Sequence, residues 1–310
     1  MLNEFAYAFR TLRKSPIFTI TVVVTIALAI GASTAIFSVT NGVLLRKLPY
    51  KDPERLVFVR GDLQKRNVKD FPISNVDFLD VRNGAKNNFE DFAALQTFRF
   101  TLPGLDGTPE RVRFASVSTN FFQMMGGSMI AGRDFQESDG APQPEPPAGQ
   151  AGNAPAANAP PPLPTMVILS NDYFQQRFGG DRSIIGKTLP VAAAFGPPPT
   201  IVGVLAPGFE LLFPPKANVE QFPSVWIAAR IPYDAANRNN VQWRVIGRLK
   251  PGVTLQAAQS EIDTITSRLE QQYPETNTGL GANVYPIVKD TVRQYDTALW
   301  IMMAAVGLCF

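Results

Sequence analysis

Histidine is absent from these 310 residues, and cysteine occurs once, as Cys309. The first absence removes imidazole general bases, His-containing triads and His-ligated metals. The second removes any internal disulfide and any thiolate metal cluster. A domain outside the cytoplasm would then be held by its own core, for which about 250 residues are ample. Charge is also scarce: 18% of residues are charged, against about 25% in soluble domains. A strong charge of one sign is missing as well. Of the net +3, Arg10, Arg13 and Lys14 against Glu4 supply +2, leaving +1 for everything else. That is no nucleic-acid footprint, and nucleic acid is excluded as a partner.

What is present is an uneven distribution of apolar residues. From Ser15 to Leu45 there is no charged residue, and Ile17 to Val39 gives 23 consecutive uncharged, mostly apolar positions. At 1.5 Å per residue such a helix reaches roughly 34 Å, enough for a hydrocarbon core of about 30 Å. A cleaved signal peptide has a shorter apolar run nearer the N-terminus, and a buried core helix is seldom this long. The stretch is expected to span, with membrane lipid as its first partner. Before it, Leu2, Phe5, Ala6, Phe9 and Leu12 fall on one face of a short amphipathic helix, with a disordered leader as the alternative. Arg10, Arg13 and Lys14 precede the span, while Arg46, Lys47, Lys51, Arg55 and Arg60 follow it. The positive-inside rule does not fix the orientation of so long a following domain. Ala27, Gly31 and Ala35 recur every four residues, a stripe of small side chains along which two helices could approach. A second apolar stretch, Thr297 to Phe310, has 14 residues. It is too short to cross a bilayer; it reads as the start of another membrane helix in a sequence that is a fragment, with an ordinary packed core helix as the alternative.

Between the two apolar runs, strand and helix signals alternate. Leu56–Val59 is a short strand; Ser74 with Asp77 opens a capping box for a helix through Arg82. Thr97–Leu102 and Arg111–Val117 read as strands around a turn at 105–107. A second such unit begins with a strand over Val241–Leu249, followed by a Lys250-Pro251-Gly252 turn. Thr254 caps a helix whose Leu255, Ala258, Ile262, Ile265 and Leu269 form one apolar stripe, and Asn283–Val288 returns as a strand. Residues 140–164 hold nine prolines and one charge, Glu145. That composition predicts an extended or disordered excursion, either a tolerated insertion or a polyproline ligand. After it, Met166–Leu169, a helix over Asn171–Phe178 capped by Ser170, Lys187–Leu189 and Thr200–Leu205 resume an α+β pattern.

Catalytic signatures were sought among the remaining polar residues. Gly180 to Thr188 resembles a phosphate loop, but five residues separate Gly180 from Gly186-Lys187-Thr188 and the run follows a helix. Gly179-Gly180 reads instead as a helix cap. Asp77 and Asp80 share a helix face and read as an exposed acidic surface; Asp134, Glu137 and Asp139 could pair only in principle. No nucleophile elbow or Ser-x-x-Lys is present. Phe121-Phe122 and Met124-Met125 read as core. The expectation is no catalytic residue, no metal site and no cofactor, hence no enzyme; a tethered enzyme has nothing in its favour beyond the lack of contrary proof.

Several stretches carry a resemblance when taken in order. They are Phe9–Pro16 leading into the apolar run, Gly31–Val39, Leu44–Tyr50, Val117–Phe122, Ala131–Phe135, Leu169-Ser170, Arg177–Asp181, Ile185–Lys187, Val202–Val204, Pro207–Phe209 and Gly247–Thr254. In this order the chain resembles the MacB-like, FtsX-type permeases of ABC transporter systems, and more narrowly the duplicated orphan permeases common in acidobacteria. The resemblance implies an α+β fold: a cytoplasmic amphipathic helix over 1–16, transmembrane helix 1 over 17–45 and a periplasmic core over 46–297. That core would comprise porter-like strand–helix–strand units and an inserted subdomain at about 134–237. Residues 298–310 would begin the second membrane helix. The resemblance further implies a bacterial inner-membrane location, dimeric or duplicated permease halves and a separate ABC ATPase. Two functions follow: a permease subunit in efflux or mechanotransmission, or a membrane-anchored periplasmic binding or adaptor protein that transports nothing itself.

Overall fold

The computed structural model describes residues 14–44, 48–63, 67–104, 108–143, 162–189, 197–214 and 217–288. Residues 1–13 of the expected helix over 1–16, the turn at 105–107, most of the proline-rich excursion and the second apolar stretch lie outside them. The chain divides into two units, Met1–Lys47 with Asp290–Phe310, and Leu48–Lys289.

In the first unit, helix α1 runs over Pro16–Leu44, 29 residues with no charged side chain. It presents large apolar groups outward, with Ile17 82% and Leu28 69% exposed. The four threonines whose side chains are described do not offer free hydroxyls. Thr19, Thr21, Thr25 and Thr34 donate to the carbonyl four residues back at 2.8–3.0 Å, which lowers the polarity of the helix surface. Side chains are described without a break only over 14–31, and among the described residues no helix is long and apolar enough to cross a membrane.

The second unit is built on one mixed sheet. Its strands are β1 (Leu56–Leu63), β2 (Val68–Phe71), β3 (Ile73–Ser74), β4 (Phe89–Pro103), β5 (Pro109–Val117), β6 (Met129–Gly132), β7 (Met166–Leu169), β8 (Thr200–Leu205), β9 (Val225–Ala228), β10 (Val241–Leu249) and β11 (Leu280–Pro286). The order is β11-β1-β10-β4-β5-β9-β7-β8-β6, with β2 on β1 and β3 on β10. From β11 to β5 every pairing is antiparallel. The sheet then continues through a parallel β5–β9 ladder, Phe114 opposite Val225 through Val117 opposite Ala228.

Strand alternation sorts the side chains onto two faces. On one face Leu56, Phe58, Ala93, Leu95, Ala115, Val117, Trp226 and Ile168 form a single cluster across both halves of the sheet. The opposite face carries two clusters. Val57, Val59, Phe92, Ala94 and Val245 pack against helices α2 (Asn75–Gly84) and α5 (Leu255–Gln272). Val112, Phe114, Val167, Leu169 and Val204 pack against helix α4 (Asn171–Phe178).

The helices start where their caps predict. Ser74 accepts from Asp77 N at 3.1 Å, Ser170 from Tyr173 N at 3.3 Å and Thr254 from Ala257 N at 3.2 Å, satisfying a first-turn amide each time. Helix α5 buries Ala258, Ile262, Ile265 and Leu269. Leu255 departs from the expectation: as the first residue of α5 it lies beyond the end of the buried stripe and is 38% exposed. Lys187–Leu189 is not a strand; only an isolated bridge joins Thr188 to Thr200. A short helix, α3 (Phe121–Met125), and α6 (Pro274–Asn277) complete the unit.

Candidate functional site at the joining strands

Strands β1 and β11 are the two that connect the sheet to the rest of the chain, and they are neighbours. Val57 lies opposite Pro286, Phe58 opposite Tyr285, and the ladder continues to Leu63 opposite Leu280. The chain therefore reaches and leaves the domain at one end of the sheet. After β11, Ile287 is fully buried in the shared core.

The incoming segment is laced into the domain before β1 begins. Tyr50 is buried; its hydroxyl donates to Glu210 O at 3.0 Å and accepts from Leu212 N at 2.8 Å. Burial pushes its phenol well above the ordinary value, so it stays neutral and keeps its donor. Lys51 N donates to Met125 O at 2.9 Å. Gly126 makes that approach possible: its φ is +87°, and a Cβ there would meet Lys51 Cβ at 2.9 Å.

Polar residues of the Val117–Phe122 run fix helix α3. Ser118 Oγ donates to Asn120 Oδ1 at 2.7 Å and accepts from Ala94 N at 3.0 Å. Asn120 Nδ2 donates to Asp91 Oδ2 at 2.6 Å and Phe92 O at 2.9 Å. Arg82 of α2 reaches the same carboxylate at 2.9 and 3.2 Å. With their polar neighbours anchored, Phe121 and Phe122 sink fully into the core beside Trp226, ring centroids 5.9 and 5.0 Å away. The Ala131–Phe135 run behaves similarly: Arg133 pairs with Asp139 at 2.6 and 3.0 Å, and Phe135 is buried.

The carboxylates expected to form a plain acidic surface do something else. Asp77 and Asp80 each bind Arg238 at 2.7 Å. The Arg238 side chain is 1% exposed, against 13% and 18% for its two partners. Its guanidinium lies 3.6 Å from the Tyr273 ring centroid. Asp77 also accepts from Ser74 Oγ at 2.7 Å and Asn277 Nδ2 at 2.9 Å. Three donors thus share the Asp77 carboxylate, which makes it a structural ion-pair partner. The cause is long-range: Arg238 lies 161 and 158 residues from its partners.

No three potential metal ligands converge among the described residues. In the Gly180–Thr188 loop, Asp181 Oδ1 accepts from Ser183 N at 2.8 Å, and Gly179 (φ +59°) caps α4. The loop is thus closed on itself. Of the small-residue stripe, Ala27 and Gly31 are exposed and no atom lies within 4 Å of a Cβ placed on Gly31; the Ala35 side chain lies outside the described residues.

The profile of the MacB-like periplasmic core domain matches residues 19–265. The chain belongs to that family. Membership makes the domain the periplasmic portion of a membrane transporter of the ABC permease class; the family is one of transporter permease domains. A domain assigned to a permease protein from Porphyromonas gingivalis matches with TM-score 0.51 at 15% identity, over 77% of this chain and 92% of that one. At such identity the likeness is one of fold. The periplasmic region of MacB from Actinobacillus actinomycetemcomitans aligns at TM-score 0.48 and 11% identity, over 85% and 98% of the two chains. The extracellular domain of the noncanonic ABC-type transporter YknZ from Gram-positive bacteria aligns at 0.45 and 11%, over 73% and 98%. No curated protein matches by sequence. Sequence reasoning missed β9, the strand that extends the sheet past β5; the apolar run Val225–Ala228 between Pro223 and Pro232 was its signal.

Proposed function

We propose that the chain is a permease subunit, or part of one, in an ABC-type efflux or mechanotransmission system. In this reading α1 crosses the bacterial inner membrane as the helix of 17–45, residues 1–16 face the cytoplasm, and 46–297 form the periplasmic core. Residues 298–310 begin a second span. The uncharged 29-residue helix with outward apolar side chains and self-satisfied threonines supports the crossing. The adjacent β1 and β11 carry the coupling reading. Both connections feed one hydrogen-bonded ladder, so relative movement of two membrane helices would load the sheet directly, and Tyr50 would pass that load to the 210–212 segment. The energy would come from ATP hydrolysed on a separate ABC ATPase.

The test is purification of the tagged chain from native membranes in mild detergent, followed by vanadate-sensitive ATP hydrolysis in the eluate. Hydrolysis that depends on the chain supports coupling. A chain that resists carbonate extraction but brings no ATPase leaves the anchored adaptor; a chain that carbonate releases refutes the anchor. Ala27, Gly31 and Ala35 are proposed as the seam between paired membrane helices of a dimer or duplicated half. Gly31→Leu is expected to weaken self-association in a membrane two-hybrid assay, and unchanged association would remove that role.

A further inference from the structure

At the end of the sheet where the chain arrives lies a polar cavity of about 240 Å³, lined by Lys51, Glu90, Asp91, Asn120, Gln123, Met124 and Arg248. Its charges look balanced by count, two basic against two acidic, but they are not balanced by contact. Both carboxylates are already engaged by other side chains. Glu90 is bound by Arg55. Asp91 is held by Arg82, Asn120 and the Phe92 amide. Burial alone would raise the Asp91 carboxyl, yet these bonds outweigh it and keep it below its ordinary value.

The two cations lack equivalent partners. Arg248 is 3% exposed. Its Nη2 donates to the carbonyls of Lys51, at 2.6 Å, and Met124. Its Nη1 is buried with no hydrogen-bond acceptor, and the nearest carboxylate oxygen, Asp52 Oδ2, is 3.7 Å away. Burial first, and then the Arg55 charge, lower its affinity for the proton, and the opposing charges of Asp52, Glu90 and Glu54 do not make up the difference. Lys51 is exposed, and among the described residues no hydrogen bond or ion pair engages its Nζ; its main chain is bonded at both N and O. An exposed amide, Gln123, stands at the rim.

We infer that this cavity is an anion site that takes a phosphate group between Arg248 and Lys51. A phosphate offers several acceptor oxygens on one centre, matching the forked guanidinium, the ammonium and the amide together. It also brings a negative charge nearer to Arg248 Nη1 than the 3.7 Å contact with Asp52 does. The same chemistry is found in free phosphate and in a phospholipid headgroup. The site stands on its own residues and does not depend on coupling to an ATPase.

Two probes separate the sources on the full chain held in nonionic micelles. Inorganic phosphate is titrated calorimetrically to about 10 mM, tenfold above the midpoint of a millimolar site. Phosphatidylglycerol is added in parallel, and retained lipid is counted by native mass spectrometry. At least one probe is expected to bind saturably. Binding of phosphate assigns a free-anion site, and retention of lipid alone assigns a headgroup site. Lys51→Gln, an exposed change that leaves the core intact, should weaken the bound probe at least about tenfold, as loss of one charge-assisted bond does. Lys69→Gln, exposed on β2, removes the same charge elsewhere and should change nothing. Arg248→Lys should weaken binding further, but its buried position makes Lys51→Gln the deciding variant. Saturable binding of neither probe, or equal loss from Lys51→Gln and Lys69→Gln, or no loss from Lys51→Gln, overturns the site.

Discussion

The two faces of the β11-to-β5 half-sheet are held by different physics. On one, Phe121, Phe122, Phe209 and Trp226 meet at centroid distances of 5.0–6.4 Å, and the covering helix α3 has only five residues. On the other, two helices cover the sheet, and polar devices set their positions. Arg238 ties α2 to the loop before β10, and Arg82 ties α2 to β4. The aromatic face has polar anchors only at the start of α3, through Ser118 and Asn120, and its interlocking rings add position as well as energy. The aliphatic stripe of α5, Ala258, Ile262, Ile265 and Leu269, specifies position less well, and ion pairs and amides at the borders of that face fix where each helix stops.

The comparison breaks most visibly if the aromatic face is emptied. Phe122 is fully buried against four other rings, those of Phe121, Phe135, Phe209 and Trp226. Phe122→Ala is expected to cost about 3–5 kcal/mol, read as a lower urea midpoint for the detergent-held chain. A loss below about 1 kcal/mol would mean that α3 collapses into the space. On the helix face the largest effect should come from Arg238→Met, which leaves two poorly exposed carboxylates without their cation. About 3 kcal/mol is expected. Adding Asp77→Asn and Asp80→Asn in the same chain should restore much of it, since the cost lies in unpaired charge and not in lost packing. Failure of the triple change to recover stability would show that Arg238 acts mainly as a packed side chain over Tyr273.

What could be read in advance divides along the same line. The capped helices at Ser74, Ser170 and Thr254, and the strands at 166–169, 200–205 and 241–249, follow from local signals within a few residues of one another. The family motifs, too, were legible as stretches, although the roles of Ser118, Asn120 and Gly126 appear only when β4 and the incoming segment lie against them. Asp77 and Asp80 were misread as a solvated surface because their partner arrives from the far end of the sequence. Leu255 was misread because periodicity shows which face is apolar, not how far along the helix the cover extends. The phosphate cavity left no trace in the sequence: Lys51, Glu90, Asn120 and Arg248 belong to four separate segments with no shared spacing.

Smaller changes sharpen the contrast. Gln259 of α5 reaches the outer edge of β11, where its amide donates to Ala282 O at 2.8 Å and accepts from Val284 N at 2.7 Å. It substitutes for the missing neighbouring strand and blocks an edge open to pairing. Gln259→Ala should cost about 1–2 kcal/mol for the two bonds and quicken amide exchange at Val284. An unchanged exchange rate there would show that the edge is guarded by something else.

Asp91 joins the two faces, since it receives Arg82 from α2 and Asn120 from the start of α3. It should give the smallest effect, because the Arg82 and Asp91 side chains are each about one-third exposed and solvent screens the pair; about 0.5–1 kcal/mol is reasonable. Its carboxyl lies below the ordinary 3.8 despite burial, held down by hydrogen bonds from Arg82, Phe92 N and Asn120. A depressed carboxylate stabilises the fold above the unfolded value, and that contribution fades as pH falls through the folded value. Asp139 is also depressed, whereas burial raises Asp134, so acid unfolding as a whole mixes opposite signs. The difference between wild type and Asp91→Asn cancels those shared terms. It should be constant near neutrality, begin to shrink once the pH drops below about 4, and go on shrinking as the pH falls through the lowered folded value. A difference that does not shrink at all on acidification to the point of unfolding would mean that the carboxylate charge is irrelevant and that only the shape of the Asn120–Asp91 contact joins the two faces.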